Sequence, residues 1–164
     1  MEQIILGIDP GSHRLGIGCI LKHGSDTKLI TADTLHAPKD GALYERLSSI
    51  QQQLESALDK LKPSAVALED IFFAKNARSA FQIGVARGMV FSLCIRRSIP
   101  VFEYAPTKVK QIVTGSGRAD KEQVKKMVGI LLGTKENWGL DASDALAIAI
   151  CHASHGKLKA LLSC

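Results

Sequence analysis

Four carboxylates stand in this sequence where strands end or a helix begins. Asp9 follows the apolar run Ile4 to Ile8, Glu69 follows Ala65-Val66-Ala67-Leu68, and Asp141 and Asp144 open an alanine-rich segment. Short apolar runs closed by turn residues such as Pro10-Gly11 read as buried strands. The i, i+3 spacing of Asp141 and Asp144 places both on one helical face. If the first and fourth strands lie side by side and parallel, with the last helix docked across their ends, all four acids converge. Acids about 4 Å apart repel by roughly 1 to 4 kcal/mol per pair, so such a site demands cations. Hard oxygen ligands suit Mg²⁺. Two ions about 4 Å apart can activate a water and stabilise a leaving 3′ oxygen during in-line displacement at phosphorus. Each acid also has a plainer reading. Asp9 suits the first position of a β-turn, Asp141 a helix N-cap and Asp144 a first-turn acid, and Glu69-Asp70 a solvated strand end. Strand alternation turns Asp70 away from Glu69.

The elements that must carry these acids follow from periodicity. Leu15 to Leu21 and Lys28 to Leu35 read as two strands joined by the hairpin loop His23-Gly24-Ser25-Asp26, giving an antiparallel opening after the first strand. From Asp40 to Lys60 the spacing becomes helical, with Leu43, Leu47, Ile50, Leu54, Ala57, Leu58 and Leu61 on one stripe. After the strand ending at Glu69, Asn76 to Arg97 predicts a long helix, Pro100 to Tyr104 a fifth strand, and Pro106 to Val113 and Asp120 to Leu132 two short helices. A last helix runs from Asp141 to about His155. This order predicts an α/β fold with a five-stranded mixed sheet flanked by helices, and sites gathered at the strand carboxyl ends. In the long helix, Ala80, Gly84, Gly88 and Ser92 form a small-residue ridge beside apolar neighbours. Its own sheet claims one face, and a second subunit is expected on the other.

Charge placement points to a polyanion. Phe72 to Pro100 holds Lys75, Arg78, Arg87, Arg96 and Arg97 with no acid, and Ala105 to Lys135 holds seven basic residues, among them Lys110 and Lys121, against two acids. Phosphates neutralised by such residues release counterions; a solvated basic face is the alternative. The chain has 164 residues, 46% of them hydrophobic, which suits one domain over 1–164. Ile4 to Ile8 is far too short to span a membrane and lacks the flanks of a signal peptide, so a cytoplasmic location with no membrane partner is expected. Cys19, Cys94, Cys151 and Cys164 are scattered without a C-x-x-C pair, which reads as reduced thiols. Cys151, His152 and His155 cluster at helical spacing, a pattern more often a satisfied surface than a metal site.

Several segments taken in order resemble the bacterial RuvC family. They are Ile5-Leu6-Gly7-Ile8-Asp9-Pro10-Gly11-Ser12, the run Glu69 to Asn76 with Ser79-Ala80 and Ala86-Arg87-Gly88, Val101 to Ala105 leading to Val109-Lys110-Gln111, and Asp141 to Ala149. The resemblance covers nearly the whole chain. It implies an RNase H-like fold and an endonuclease that resolves four-way (Holliday) junctions in recombination and repair by paired nicks, leaving 5′-phosphate and 3′-hydroxyl ends. It further implies a homodimer joined through the long helix near residues 76–97, and coupling to the RuvA-RuvB branch-migration complex. Asp9, Glu69, Asp141 and Asp144 would bind Mg²⁺, two ions per subunit, with Mn²⁺ able to substitute. Phe72 would insert at junction bases, and Lys110 and Lys121 would lie near the cleaved strand; Lys75 and Arg78 join them as DNA-binding residues on charge. Phe72 and Phe73 are consecutive and should point oppositely if extended. Three other readings compete: an actin-like ATPase or sugar kinase, for which one such domain supplies only one of two lobes; a module that binds branched DNA without cutting; and an RNase H-like nuclease with another substrate.

Overall fold

In the computed structural model, which describes residues 2–70, 76–135 and 137–162, the strands are β1 (Glu2–Asp9), β2 (Arg14–His23), β3 (Asp26–His36), β4 (Ala65–Glu69) and β5 (Val101–Tyr104). The helices are α1 (Leu43–Leu61), α2 (Ala77–Arg96), α3 (Pro106–Thr114), α4 (Lys121–Leu132) and α5 (Leu140–Leu162). The strands form a sheet in the order β3-β2-β1-β4-β5. β1 with β2 and β2 with β3 are antiparallel, whereas β1 with β4 and β4 with β5 are parallel. The mixed α/β sheet expected from the residue pattern is therefore present.

Alternation along β1 sorts the core into two layers. Leu6 and Ile8 face α1 and α2, where they join Leu54, Leu58, Val90 and Leu93. Ile5 faces the other side with Ala67, Val128, Leu146 and Ile148. Each large aliphatic side chain buried in this way contributes about 1.5 to 3 kcal/mol, so both faces of the sheet are held. Gly7, on the same face as Ile5, meets α5 backbone to backbone: a Cβ there would fall on the Ala145 carbonyl oxygen and 2.8 Å from the Ala149 nitrogen. Gly16 and Gly18 on β2 bear likewise on the backbone at Asp141 and Leu146. Gly7 and Gly18 are partners across β1 and β2, so the bare row they form is a bed in which α5 lies.

Local signals set the helix ends. Asn76 caps α2 by accepting from the Arg78 N–H at 2.8 Å, and Asp120 caps α4 by accepting from Gln123 at 2.8 Å while the Gln123 side chain returns to the Asp120 N–H. The helix expected over 40–60 begins at Leu43, because the backbone around Gly41 (φ 133°) is not helical. α5 starts one residue before Asp141, so that residue is a first-turn acid and not the N-cap, and it runs past His155 to Leu162.

Candidate active site

β1 and β4 pair in parallel with Ile8 opposite Leu68, so one further step sets Asp9 beside Glu69. Alternation turns both side chains to the face where Gly7 and α5 lie. The glycine bed holds α5 close enough for its first turns to cross the strand ends. Ser143 is fully buried there, and Asp144 emerges beside it. Asp9, Glu69 and Asp144 thus line one pocket of about 220 Å³, with Lys110 from α3 and Lys121 from α4 on its wall.

Electrostatics mark this pocket as short of positive charge. Burial, then the charges of Asp144 and Glu69, lift the Asp9 carboxyl from the usual 3.8 to about 7, against the pull of Lys121. Burial and Asp144 raise Glu69 as well, opposed by Lys121, Lys110 and Arg87. Lys121 donates to the Asp144 carboxylate at 2.6 Å, and this bond raises its own proton affinity. Raised affinities at Asp9 and Glu69, with an ammonium inserted beside them, are what crowded carboxylates show when a lysine of the same chain is the nearest counter-charge. Among the described residues, no three His, Cys, Asp or Glu side chains already form a metal cage; Asp144 and Asp141 are turned toward Lys121 and Arg14. The donor chemistry, carboxylate oxygen throughout, fits a hard divalent ion.

Asp141 sits slightly apart. Its carboxylate lies 3.6 Å from the Arg14 guanidinium and lines an adjoining hollow of about 650 Å³, which Lys121 also borders. Three of the four acids share one pocket, and the fourth borders it across Lys121. Arg78 is exposed on the first turn of α2 and is not among the residues lining the carboxylate pocket. Phe72, Phe73 and Lys75 lie outside the described residues. Asp70 is exposed, and its N–H continues the ladder to the Tyr104 carbonyl, opposite in alternation to Glu69. His152 Nδ1 meets the Tyr104 hydroxyl at 2.7 Å and its ring stacks on Phe102, while His155 Nδ1 lies 3.2 Å from the Cys151 carbonyl. That cluster packs on β5 through the rings of Phe102 and Tyr104. Cys19, Cys94 and Cys151 are free and buried.

Two features escaped the sequence reading. Arg14 carries no signal in the sequence, and its pairing with Asp141 appears only once α5 is docked. Arg87 was counted as surface charge, yet it is buried and donates to the Glu69 backbone carbonyl and the Glu103 carboxylate. Its position among Ala86, Val90 and Cys94, the buried stripe of α2, was the signal available for it.

A family model described as crossover junction endodeoxyribonuclease RuvC matches residues 5–152. A RuvC from Halorhodospira halophila is 46% identical over 92% of this chain and 90% of its own length. Among solved structures, T. thermophilus RuvC in complex with a Holliday junction substrate superposes with a TM-score of 0.89 at 33% identity, over 96% of each chain. The yeast mitochondrial resolvase Ydc2 shares the fold with a TM-score of 0.65 at 13% identity, over 94% of this chain and 81% of its own. With the family model spanning both strand-end acids and the acids of α5, the chain belongs to the RuvC family of crossover junction endodeoxyribonucleases.

Proposed function

We propose that this protein, acting as one domain, resolves four-way DNA junctions by Mg²⁺-dependent phosphodiester hydrolysis at the Asp9, Glu69, Asp141 and Asp144 cluster. The observation that carries this reading is the convergence of Asp9, Glu69 and Asp144 on one pocket walled by Lys110 and Lys121. Asp9, Glu69 and Asp144 would hold the ions directly. Asp141 joins them by leaving Arg14, a long and solvent-screened ion pair of the kind worth about 0 to 1 kcal/mol. When bound, two Mg²⁺ ions supply the positive charge that in-line attack at phosphorus requires, and Mn²⁺ can replace them.

The chain's own residues bind and orient. Lys110 and Lys121 stand on the same wall as the acids, where they can grip the phosphate being cut or its neighbour. Arg78 extends the basic surface at the start of α2, Lys75 would add a further phosphate contact on its charge, and Phe72 would stack on junction bases. The dimer forms through the outer face of α2. There Gly84 and Gly88 are open, and Phe81 (65% exposed), Val85 and Ile95 (74% exposed) form an apolar stripe. An isologous pair of this helix sets two sites for two symmetric nicks. Family membership supports coupling to RuvA-RuvB and a cytoplasmic location as further parts of this reading. Among the described residues no helix is long and apolar enough to cross a membrane.

The test is cleavage of a labelled mobile four-way junction and a matched linear duplex, with Mg²⁺ or EDTA, by the natural protein and Asp9→Asn. Symmetric Mg²⁺-dependent nicks in the junction alone, lost in the variant while binding survives, are expected. Tight junction binding with no cutting under any divalent metal would replace this reading with that of a binding module.

A further inference from the structure

The carboxylate of Glu69 faces α5, and behind it, on the opposite face of the sheet, stands a guanidinium that the ion-binding scheme does not use. Arg87 is 6% exposed on the inner side of α2. One arm donates to the backbone carbonyl of Glu69 and the other to the carboxylate of Glu103 on β5, and the Phe91 ring lies 5.6 Å from the guanidinium carbon. A buried arginine persists only where its N–H groups are met. Here the acceptors are the strand end that carries Glu69 and the neighbouring strand.

The backbone ladder explains why a donor is needed at that place. The Val66 N–H donates to the Pro100 carbonyl and the Asp70 N–H to the Tyr104 carbonyl, so the even-numbered residues of β4 turn their polar groups toward β5. The Glu69 carbonyl is therefore turned toward β1. Carrying the parallel register past Ile8 and Leu68, the N–H due to meet it belongs to residue 10. Residue 10 is proline, which has none. A carbonyl left without its ladder donor needs another, and Arg87 supplies it. Its second arm binds that carbonyl to β5 through Glu103, which stands opposite Leu68 in register.

We propose that Arg87 is a positioning residue for ion binding: it replaces the missing ladder donor at the end of β4 and fixes the backbone from which Glu69 presents its carboxylate to Asp9 and Asp144. This rests on the reading that these carboxylates hold divalent ions, so the test reads ion binding directly. Arg87→Met and Arg87→Lys are compared with the natural protein in four measurements. These are circular dichroism and melting in EDTA, Mn²⁺ titration calorimetry, junction binding in EDTA, and single-turnover cleavage against Mn²⁺ concentration. Loss of an outer support of this kind weakens metal affinity about 10- to 100-fold. The Met variant should show that loss, a matching rise in the Mn²⁺ needed for half-maximal cleavage, and unchanged junction binding in EDTA. The Lys variant should recover part of it, because one ammonium can serve one of the two acceptors. A folded Met variant with natural Mn²⁺ affinity, even with a lowered Tm, overturns the proposal. If the Met variant does not fold, natural Mn²⁺ affinity in the Lys variant overturns it. If the natural protein binds Mn²⁺ but cuts no junction, the nuclease reading falls while the calorimetry still decides the role of Arg87.

Discussion

Replacing Asp9 with asparagine should stabilise the ion-free protein at alkaline pH while abolishing cleavage. Burial, Asp144 and Glu69 lift the Asp9 carboxyl from 3.8 to about 7 in the folded protein, whereas in the unfolded chain it titrates near 4. Between those two values the folded state holds a proton that the unfolded state has released. Stability is therefore highest below about pH 4, falls as pH rises through the window, and is lowest above about pH 7. At about 1.4 kcal/mol per tenfold change in proton affinity, the loss reaches about 4 kcal/mol. Asparagine is neutral throughout and escapes it. In EDTA at pH 8.5 the variant should gain up to about 4 kcal/mol, an increase in Tm of roughly 8 to 16 °C for a chain of this size. At pH 4.5 the gap should shrink to about 1 kcal/mol, roughly 2 to 4 °C in Tm. Adding Mg²⁺ should raise the Tm of the natural protein and narrow the gap, because ions bind only the folded carboxylate cluster. Thermal melts across pH 4.5 to 8.5, with and without Mg²⁺, read all of this. An Asp9→Asn protein that melts no higher than the natural one at pH 8.5 in EDTA, or a difference indifferent to pH, refutes the electrostatic account of the pocket.

Three further perturbations probe the frame, the phosphate grip and the subunit face. Gly7→Ala places a methyl on the backbone of α5, where no side chain can rotate away. Urea unfolding should show a loss of about 3 kcal/mol or more, the upper end for overpacking, and natural stability would mean that α5 does not lie on β1. Lys121→Met should lower the slope of log binding constant against log salt by about one on junction DNA; an unchanged slope would remove Lys121 from the phosphate contacts. Val85→Asp puts a charge in the exposed stripe of α2 and should turn a dimer into a monomer in sedimentation at micromolar concentration. A variant that remains dimeric there would place the subunit contact elsewhere.

The parts of the site legible in the residues are those that the backbone dictates. Asp9 and Glu69 end strands whose parallel pairing follows from the intervening crossover, and the i, i+3 spacing of Asp141 and Asp144 fixes their shared face whatever the helix packs on. The helix stripe from Ile50 to Leu58 and the two caps at Asn76 and Asp120 are local signals of the same kind. What depended on side chains meeting across long separations was not legible. The turn of Asp141 toward Arg14 joins residues on β2 and α5. Arg87 was indistinguishable by charge from Arg78, and only the face of α2 it occupies separates a buried support from an exposed cation. The glycines of β1 and β2 were visible, but that they bed a helix requires knowing which side of the sheet α5 covers. The small-residue ridge of α2 does point outward, with open space at Gly84 and Gly88, which is the orientation a partner subunit requires.

The cations around the pocket have two duties that cannot be performed together. Lys121 is bonded to Asp144 and pulls on Asp9 and Glu69, and Lys110 pulls on Glu69; in the ion-free protein these lysines are the counter-charge that keeps the acids tolerable. A lysine engaged in that way is a poorer partner for phosphate. Divalent ions on the carboxylates remove the need for it and leave the ammonium free to turn toward the DNA backbone, so ion binding and phosphate binding should reinforce each other. Such coupling is reciprocal: junction DNA should tighten Mn²⁺ binding by the same factor as Mn²⁺ tightens junction binding. Lys121→Met should shrink that factor in both directions, because the residue that changes partner is gone. The converse result, a coupling factor unaltered by the loss of Lys121, would mean that the ammonium does not exchange Asp144 for phosphate and that the two charges are held by separate groups.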